Sequence, residues 1–152
     1  SQSIGYPKWV RILEDGLHKS PDLARNLILE MTEKSVMAAP EVARYFMNDM
    51  QKLGLCFALD NFGAGQTSLV QLRDFYFDIA KMDGQFTKDL AQSADNQALI
   101  QAVIGIAASF EMFCVAQNVE TASDAEVLTN LGVDCLQGYH LGVPTLTPRW
   151  QQ

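Results

Sequence analysis

The chain has few cysteines and few positive charges. Three cysteines, Cys56, Cys114 and Cys135, occur in 152 residues, each inside an apolar run and without CxxC or His-rich spacing. A zinc site or a disulfide framework is therefore poorly supported, and buried free thiols are expected, which favours the cytoplasm. Lysine and arginine number 11 against 18 acidic residues, and the resulting net charge of −7 disfavours DNA or RNA as a partner.

Long hydrophobic runs are also missing. No stretch approaches the roughly 20 apolar residues that span a bilayer, and the opening SQSIGYPKWV lacks the regions of a signal peptide. We therefore expect no membrane contact by this segment. A content of 48% hydrophobic and 19% charged residues is typical of one globular domain. A closed (β/α)₈ barrel usually takes about 250 residues, so any barrel here has to be partial.

Short apolar segments alternate with helical patterns along the chain. The order predicts an α/β fold with about five parallel strands and covering helices, joined by right-handed crossovers. The predicted strands are NLILEMTE, finishing near Glu30, then LCFALD, FDIAKMD, MFCVAQNV and VDCLQGYHL. The predicted helices are WVRILEDGL up to Lys19, Pro40 to Gly54, a short one capped by Thr67 or Ser68, the amphipathic NQALIQAVIGIAASF, and TASDAEVLTNLG with a Thr or Ser cap and Gly132 at its end.

Polar residues collect at the carboxyl ends of all five predicted strands. They are Glu30 and Glu33; Asp60 and Asn61; Lys81 and Asp83; Gln117, Asn118 and Glu120; Gln137 and His140. One acid after a strand is usually a helix cap or a solvated loop residue, but repetition over five strands favours a shared cleft. Converging carboxylates predict a hard cation, Mg²⁺ or Ca²⁺, with Lys81 as an internal counter-charge, and this chemistry suits phosphodiester cleavage.

Four ordered motifs resemble the EAL family of cyclic-di-GMP phosphodiesterases. LILEMTEKSV is similar to E-[LIV]-T-E-S, and GLCFALDNFGAGQTSLVQLRDFYFDIAKMDGQF to the D-D-F-G segment followed by D-x-[LIV]-K-[IL]-D-x-x-F. VAQNVET resembles V-A-E-G-V-E-T, and LQGYHLGVP resembles Q-G-[YF]-x-x-x-x-P. The resemblance implies a modified TIM barrel of the EAL type, with residues 1–152 forming its C-terminal two thirds.

The resemblance assigns roles to individual residues. Glu30 and Asp60 match metal ligands, Asn61 stands at a metal-ligand position, and Asp83 matches an acid close to the metal cluster. Lys81 matches the lysine near the attacking water.

Other positions match the ligand-binding part of the family's site. Glu33 matches the acid that orders the loop after the D-D-F-G strand. Glu120, Gln137 and Gly138 match conserved site positions.

Three departures from the family pattern bear on activity. Asn61 replaces the second aspartate of D-D-F-G, and an amide does not supply the negative charge that a second metal needs. Gln117 replaces the proposed general base, and an amide does not accept a proton near neutral pH. Asn118 replaces a glycine, so an altered turn is expected there. The strand with the E-A-L signature and its metal ligands is also expected to be missing from this chain.

These departures predict an inactive phosphodiesterase homologue. A regulatory or interaction module, with cyclic-di-GMP binding left open and metal binding weak or absent, is the leading hypothesis. The alternative is a fragment of a metal-dependent enzyme that hydrolyses cyclic-di-GMP to linear pGpG, and an unrelated barrel hydrolase or structural domain ranks third. A partial barrel exposes two edge strands, which predicts a homo-oligomer or a protein partner.

Overall fold

A parallel sheet of five strands forms the centre of the computed structural model, which describes residue 4 and residues 6–65 and 69–146. Within those residues the strands lie side by side in chain order and all pairs are parallel. The strands are β1 Ile28–Thr32, β2 Cys56–Phe62, β3 Ile79–Met82, β4 Phe113–Ala116 and β5 Cys135–Leu136. The helices are α1 Pro7–Lys19, α2 Glu33–Ala38, α3 Pro40–Lys52, α4 Leu69–Leu72, α5 Ala94–Ser109 and α6 Ala122–Leu131. The predicted parallel α/β fold is confirmed.

The hydrophobic core lies between the sheet and its covering helices. Phe57, Ala58 and Leu59 are consecutive residues of β2, and all three are buried. Consecutive burial means that both faces of this strand are covered, which explains its continuous apolar sequence. Helix α3 contributes Met47 and Met50 to the same core.

The ends of the helices follow the predicted signals. Pro40 opens α3 at its first position. Thr121 caps α6 by accepting a hydrogen bond from the Asp124 amide at 3.1 Å, and Gly132 ends the helix at φ 86°. A left-handed residue at this point suits glycine, because it has no Cβ to clash with the preceding carbonyl.

Two aspartates connect the amino ends of neighbouring strands. Asp78, just before β3, accepts a hydrogen bond from the Phe57 amide of β2 at 2.7 Å. Asp134, just before β5, accepts one from the Cys114 amide of β4, also at 2.7 Å. Each carboxylate satisfies a main-chain donor at the start of a strand, at the edge of the sheet opposite the predicted site.

Some predicted boundaries were wrong. Strand β1 continues past Glu30 to Thr32, and Thr32 then caps an unpredicted helix, α2, by accepting from the Ser35 amide. Strand β5 is reduced to two residues. Helix α5 buries Ile100, Val103 and Ala107 on one side, and its exposed residues are mostly small, with Asp95 as the one charged residue of the helix. The predicted cap at Thr67 or Ser68 lies outside the described residues.

The prediction of three buried thiols was partly wrong. All three cysteines are free, but only Cys114 is buried, Cys56 is partly buried and Cys135 is exposed. Cys135 begins β5, which pairs only with β4 among the described residues, so one side of it faces solvent. Among the described residues, no helix combines the length and hydropathy needed to cross a membrane.

Candidate ligand-binding site

A buried lysine and a half-exposed glutamate form an ion pair at the carboxyl end of the sheet. Lys81 Nζ on β3 donates to Glu30 Oε1 on β1 at 2.6 Å. The side chain of Lys81 is 10% exposed and that of Glu30 is 50% exposed, so solvent reaches the carboxylate but barely reaches the ammonium. The pair spans β2 and places a positive charge inside the predicted site, as the sequence predicted for Lys81.

Asp60 lies at the centre of a small hydrogen-bond network. Gln117 Nε2 on the segment after β4 donates to Asp60 Oδ1 at 3.0 Å. Asn61 Nδ2 donates to Asp60 Oδ2 at 3.2 Å. An ionised carboxylate can only accept hydrogen bonds, so each amide must present its NH₂ group to it. Both oxygens of Asp60 are thereby bound to neutral donors.

A bulge in β2 sets the direction of the Asn61 side chain. The pairing of β2 with β3 changes register between Leu59 and Phe62, and Asn61 has φ 56°. Asparagine tolerates this left-handed conformation better than most residues with a Cβ. Bulges of this kind redirect side chains and are common beside functional sites.

Glu33 supports the glycine-rich loop that follows β2. It is only 4% exposed, and its Oε2 accepts a hydrogen bond from the Gly63 amide at 3.2 Å. A Cβ added to Gly65 would lie 2.6 Å from Glu33 Oε1, so the loop passes directly over the carboxylate. This position agrees with the loop-ordering role that the family resemblance gives to Glu33.

Thr87 connects the loop after β3 with the end of β4. It is 1% exposed, and its hydroxyl lies 3.0 Å from the Gly84 carbonyl oxygen and 2.7 Å from that of Gln117. Nothing in the local sequence pattern points to this residue, because its partner lies 30 positions away. Thr87 is a part of the site that the sequence did not reveal.

The turn after Gln117 is left-handed at Asn118. Its φ is 56°, a region that glycine enters readily and asparagine tolerates. A Cβ on Gly84 would lie 2.0 Å from Asn118 Nδ2, so the asparagine side chain fills the space beside that glycine. The replacement of glycine by asparagine therefore leaves the left-handed conformation accessible.

A cavity of about 440 Å³ opens beside this turn. Four predicted site residues line it, namely Gln117, Glu120, Gln137 and Gly138. Asn118, which was also among the polar residues expected at the strand ends, lines it too, together with the unpredicted Tyr139, Gly142, Val143 and Pro144. The cavity thus combines amide groups and a carboxylate with an aromatic ring.

Gly138 allows two strand ends to approach closely at this cavity. A Cβ on Gly138 would lie 2.2 Å from the main-chain oxygen of Val119 and 2.3 Å from its nitrogen. The contact is main chain against main chain, so a rotamer change would not relieve it. Gln137 joins the same contact, because its main-chain oxygen accepts from the Val119 amide at 3.0 Å.

The predicted convergence of carboxylates on a cation does not occur in the part of the chain described. No group of three or more His, Cys, Asp or Glu side chains there is placed to hold a metal ion. Glu30 pairs with Lys81, and Asp60 accepts from two amides. Asp83 Oδ1 accepts from the Gln85 amide of its own loop at 2.8 Å. Hard cations require several oxygen ligands directed at one point, and these residues do not fit that requirement.

The parallel sheet, with polar side chains at its carboxyl end, defines an α/β domain of the barrel type. The profile of the EAL domain family matches residues 1–144, and the chain belongs to that family.

Two proteins illustrate the similarity. MucR of Pseudomonas aeruginosa strain PAO1, named a bifunctional diguanylate cyclase/cyclic di-GMP phosphodiesterase, is 33% identical over 119 residues, which are 78% of this chain and 17% of MucR. The solved structure of the MucR phosphodiesterase in a c-di-GMP complex has a TM-score of 0.86 and 29% identity, covering 98% of this chain and 60% of that one. A calcium and c-di-GMP complex of Klebsiella pneumoniae BlrP1 has a TM-score of 0.77 and 28% identity, covering 89% of this chain and 34% of that one. The chain therefore spans only part of each relative.

Proposed function

We propose that this chain is a regulatory module of cyclic-di-GMP signalling that does not hydrolyse the dinucleotide. The observation that carries the proposal is the state of Gln117, which stands at the general-base position of the family. Its NH₂ group donates to Asp60, and an amide does not accept a proton near neutral pH. Losing a general base lowers the rate by about 10²- to 10⁴-fold.

The cavity beside Gln117 supports cyclic-di-GMP as the ligand of this module. Glu120 supplies acceptor oxygens for ligand N–H groups, Gln137 supplies an amide, and Tyr139 offers an aromatic ring. Solved relatives are described as c-di-GMP complexes. Such a role belongs in the cytoplasm, and the free state of all three cysteines agrees with a reducing compartment.

A hydrolytic role is the second candidate function. Lys81, Glu30 and Asp60 remain at positions that match the family's catalytic and metal positions, and MucR is named a phosphodiesterase. Retained residues of this kind favour residual cleavage of cyclic-di-GMP to linear pGpG in a protein that includes this chain.

Self-association is a further part of the proposal. Strands β1 and β5 each pair on one side only among the described residues, and Ile28 on β1 is 52% exposed. An exposed strand edge favours association with another strand. We expect a second copy of the chain to cover one edge, and sedimentation of a clean monomer at micromolar concentration would contradict this.

Calorimetric titration of cyclic-di-GMP, combined with chromatography of the mixture, tests the function. Binding without pGpG is the expected result, and Gln137→Ala, in the cavity, is expected to weaken binding about tenfold or more. Gln101→Ala, on the exposed side of α5, is the matched control and should leave the affinity unchanged. Formation of pGpG would contradict the proposal, whereas no binding and no product would restrict the module to protein interaction.

A further inference from the structure

We propose that the amides of Asn61 and Gln117 take the place of a divalent cation at Asp60, so that the site is complete without metal. The inference concerns the same site as the proposed function and rests on it. It goes further by assigning a role to the two replaced side chains: they satisfy the aspartate and close it to Mg²⁺ and Ca²⁺.

The hydrogen bonds to Asp60 place an NH₂ donor against each of the two oxygens that a cation would bind. Gln117 occupies one carboxylate oxygen at 3.0 Å and Asn61 occupies the other at 3.2 Å. Each oxygen keeps a second lone pair, but a cation bound there would lie beside an NH₂ group whose partial positive charge repels it. An amide oxygen turned towards the cation instead would be a neutral ligand, which attracts a hard cation less than a carboxylate does.

The charge at this end of the sheet also disfavours a divalent cation. Lys81 lies 2.6 Å from Glu30 and already neutralises that carboxylate, so Asp60 is the remaining negative charge of the three. A cation bound to Asp60 would also be repelled by the buried ammonium of Lys81. Carboxylates at positions 61 and 117 would add two negative charges, and the charge around Asp60 would then favour a divalent cation.

Both amides are held in place by the main chain. Asn61 sits in the bulge of β2 with φ 56°, which sets the direction of its side chain. The main chain of Gln117 is held by the buried hydroxyl of Thr87 at 2.7 Å. The main chain that carries each donor is therefore held in place before any ligand arrives, which favours a preorganised site.

Calcium titration of the chain without dinucleotide tests the inference. Affinity is measured by calorimetry, and thermal unfolding is followed with EDTA and with Ca²⁺. The unmodified chain is expected to show no saturable Ca²⁺ binding in the millimolar range. Asn61→Asp combined with Gln117→Glu is expected to bind Ca²⁺ at least about tenfold more tightly than the unmodified chain, because the carboxylates provide charged oxygen ligands.

The same double variant should unfold at a lower temperature in EDTA than the unmodified chain, because three carboxylates would then repel one another. Addition of Ca²⁺ should raise the unfolding temperature of the double variant again. The single variants Asn61→Asp and Gln117→Glu give the same comparison if the double variant does not fold, each with a smaller gain in affinity. A third substitution, Asp60→Asn, added to the double variant should remove the gain, which assigns the binding to this site.

Two results would overturn the inference. One is saturable Ca²⁺ binding by the unmodified chain that Asp60→Asn abolishes, because the amides would then not exclude the cation. The other is the absence of any gain in the folded carboxylate variants. Neither result depends on cyclic-di-GMP, so failure of this inference is distinguishable from failure of the proposed function, which is measured by dinucleotide binding and pGpG formation.

Discussion

The hydroxyl of Thr87 lies 2.7 Å from the main-chain oxygen of Gln117, a hydrogen bond between residues 30 positions apart. The same hydroxyl lies 3.0 Å from the Gly84 oxygen, so one buried side chain fixes both the loop after β3 and the end of β4. The position of the Gln117 main chain, and with it that of the amide next to Asp60, therefore depends on Thr87.

We expect Thr87→Val to destabilise the fold by about 1–3 kcal/mol, because valine keeps the shape but removes the hydroxyl donor of the Gln117 oxygen, whereas the Gly84 oxygen still accepts from the amide of residue 87. Urea unfolding measures the change. Thr129→Val is the matched control, since the Thr129 hydroxyl donates to the Ala125 oxygen on the exposed surface of α6. Equal losses of unfolding free energy in the two variants would contradict the prediction, because the Thr87 hydroxyl would then stabilise the fold no more than an exposed one.

The aspartate before β3 is expected to matter for stability although it is far from the cavity. Asp78→Ala removes the acceptor for the Phe57 amide, which lies at the start of β2 in the buried core, and should cost about 1–3 kcal/mol in unfolding free energy. Asp15→Ala, on the exposed surface of α1, is the control and should stay within about 0.5 kcal/mol of the unmodified chain. If Asp78→Ala lost no more unfolding free energy than Asp15→Ala, the prediction would be wrong, and water would have taken the place of the Asp78 carboxylate at the Phe57 amide.

Two glycines are expected to respond in opposite directions to alanine. Gly138→Ala places a Cβ 2.2 Å from the Val119 oxygen and should destabilise by about 1–3 kcal/mol while distorting the cavity. Gly105→Ala meets nothing within 4 Å on helix α5 and should stabilise by about 0.5–1 kcal/mol. Thermal unfolding of both variants checks the pair, and a neutral Gly138→Ala would show that the Val119 main chain moves freely.

The succession of strands and helices along the chain and the two ends of α6 could be predicted because they depend on local sequence. Alternating apolar runs predicted the sheet, and the threonine and glycine at the ends of α6 predicted its limits. The positions of Asp60, Lys81 and Gln137 near strand ends followed from the same pattern. The run Phe57, Ala58 and Leu59 of β2 is apolar without interruption because both faces of the strand are covered there.

The partners of the site residues could not be predicted, because they come from distant parts of the chain. The pairing of Lys81 with Glu30 spans 51 positions and that of Gln117 with Asp60 spans 57. The sequence places acids at strand ends but does not reveal which charges are already neutralised by lysine or amides. For that reason the expected cluster of converging carboxylates is not found among the described residues.

The cysteines provide a final test of the packing. Burial, followed by the nearby carboxylate of Asp134, raises the pKa of the Cys114 thiol to about 11. The thiolate is the reactive form, so at pH 8 very little of Cys114 is reactive, and its burial limits access as well. Cys135 is exposed at the start of β5. We expect iodoacetamide to modify Cys135 at least about tenfold faster than Cys114, as measured by mass spectrometry of digested protein.

The buried thiol of Cys114 also predicts how the stability of the fold changes with pH. The folded pKa of Cys114 is raised above the ordinary thiol value of 9.0, so the unfolded chain loses this proton first. The contribution of Cys114 to stability is therefore fully present below pH 9 and is lost as the pH rises towards about 11.

Labelling with iodoacetamide in guanidinium chloride is the control for the comparison of Cys135 with Cys114, because unfolding should make the two cysteines react at similar rates. Rapid labelling of Cys114 in the folded chain at pH 8 would contradict its placement in the core, since neither access nor thiolate would then be limiting.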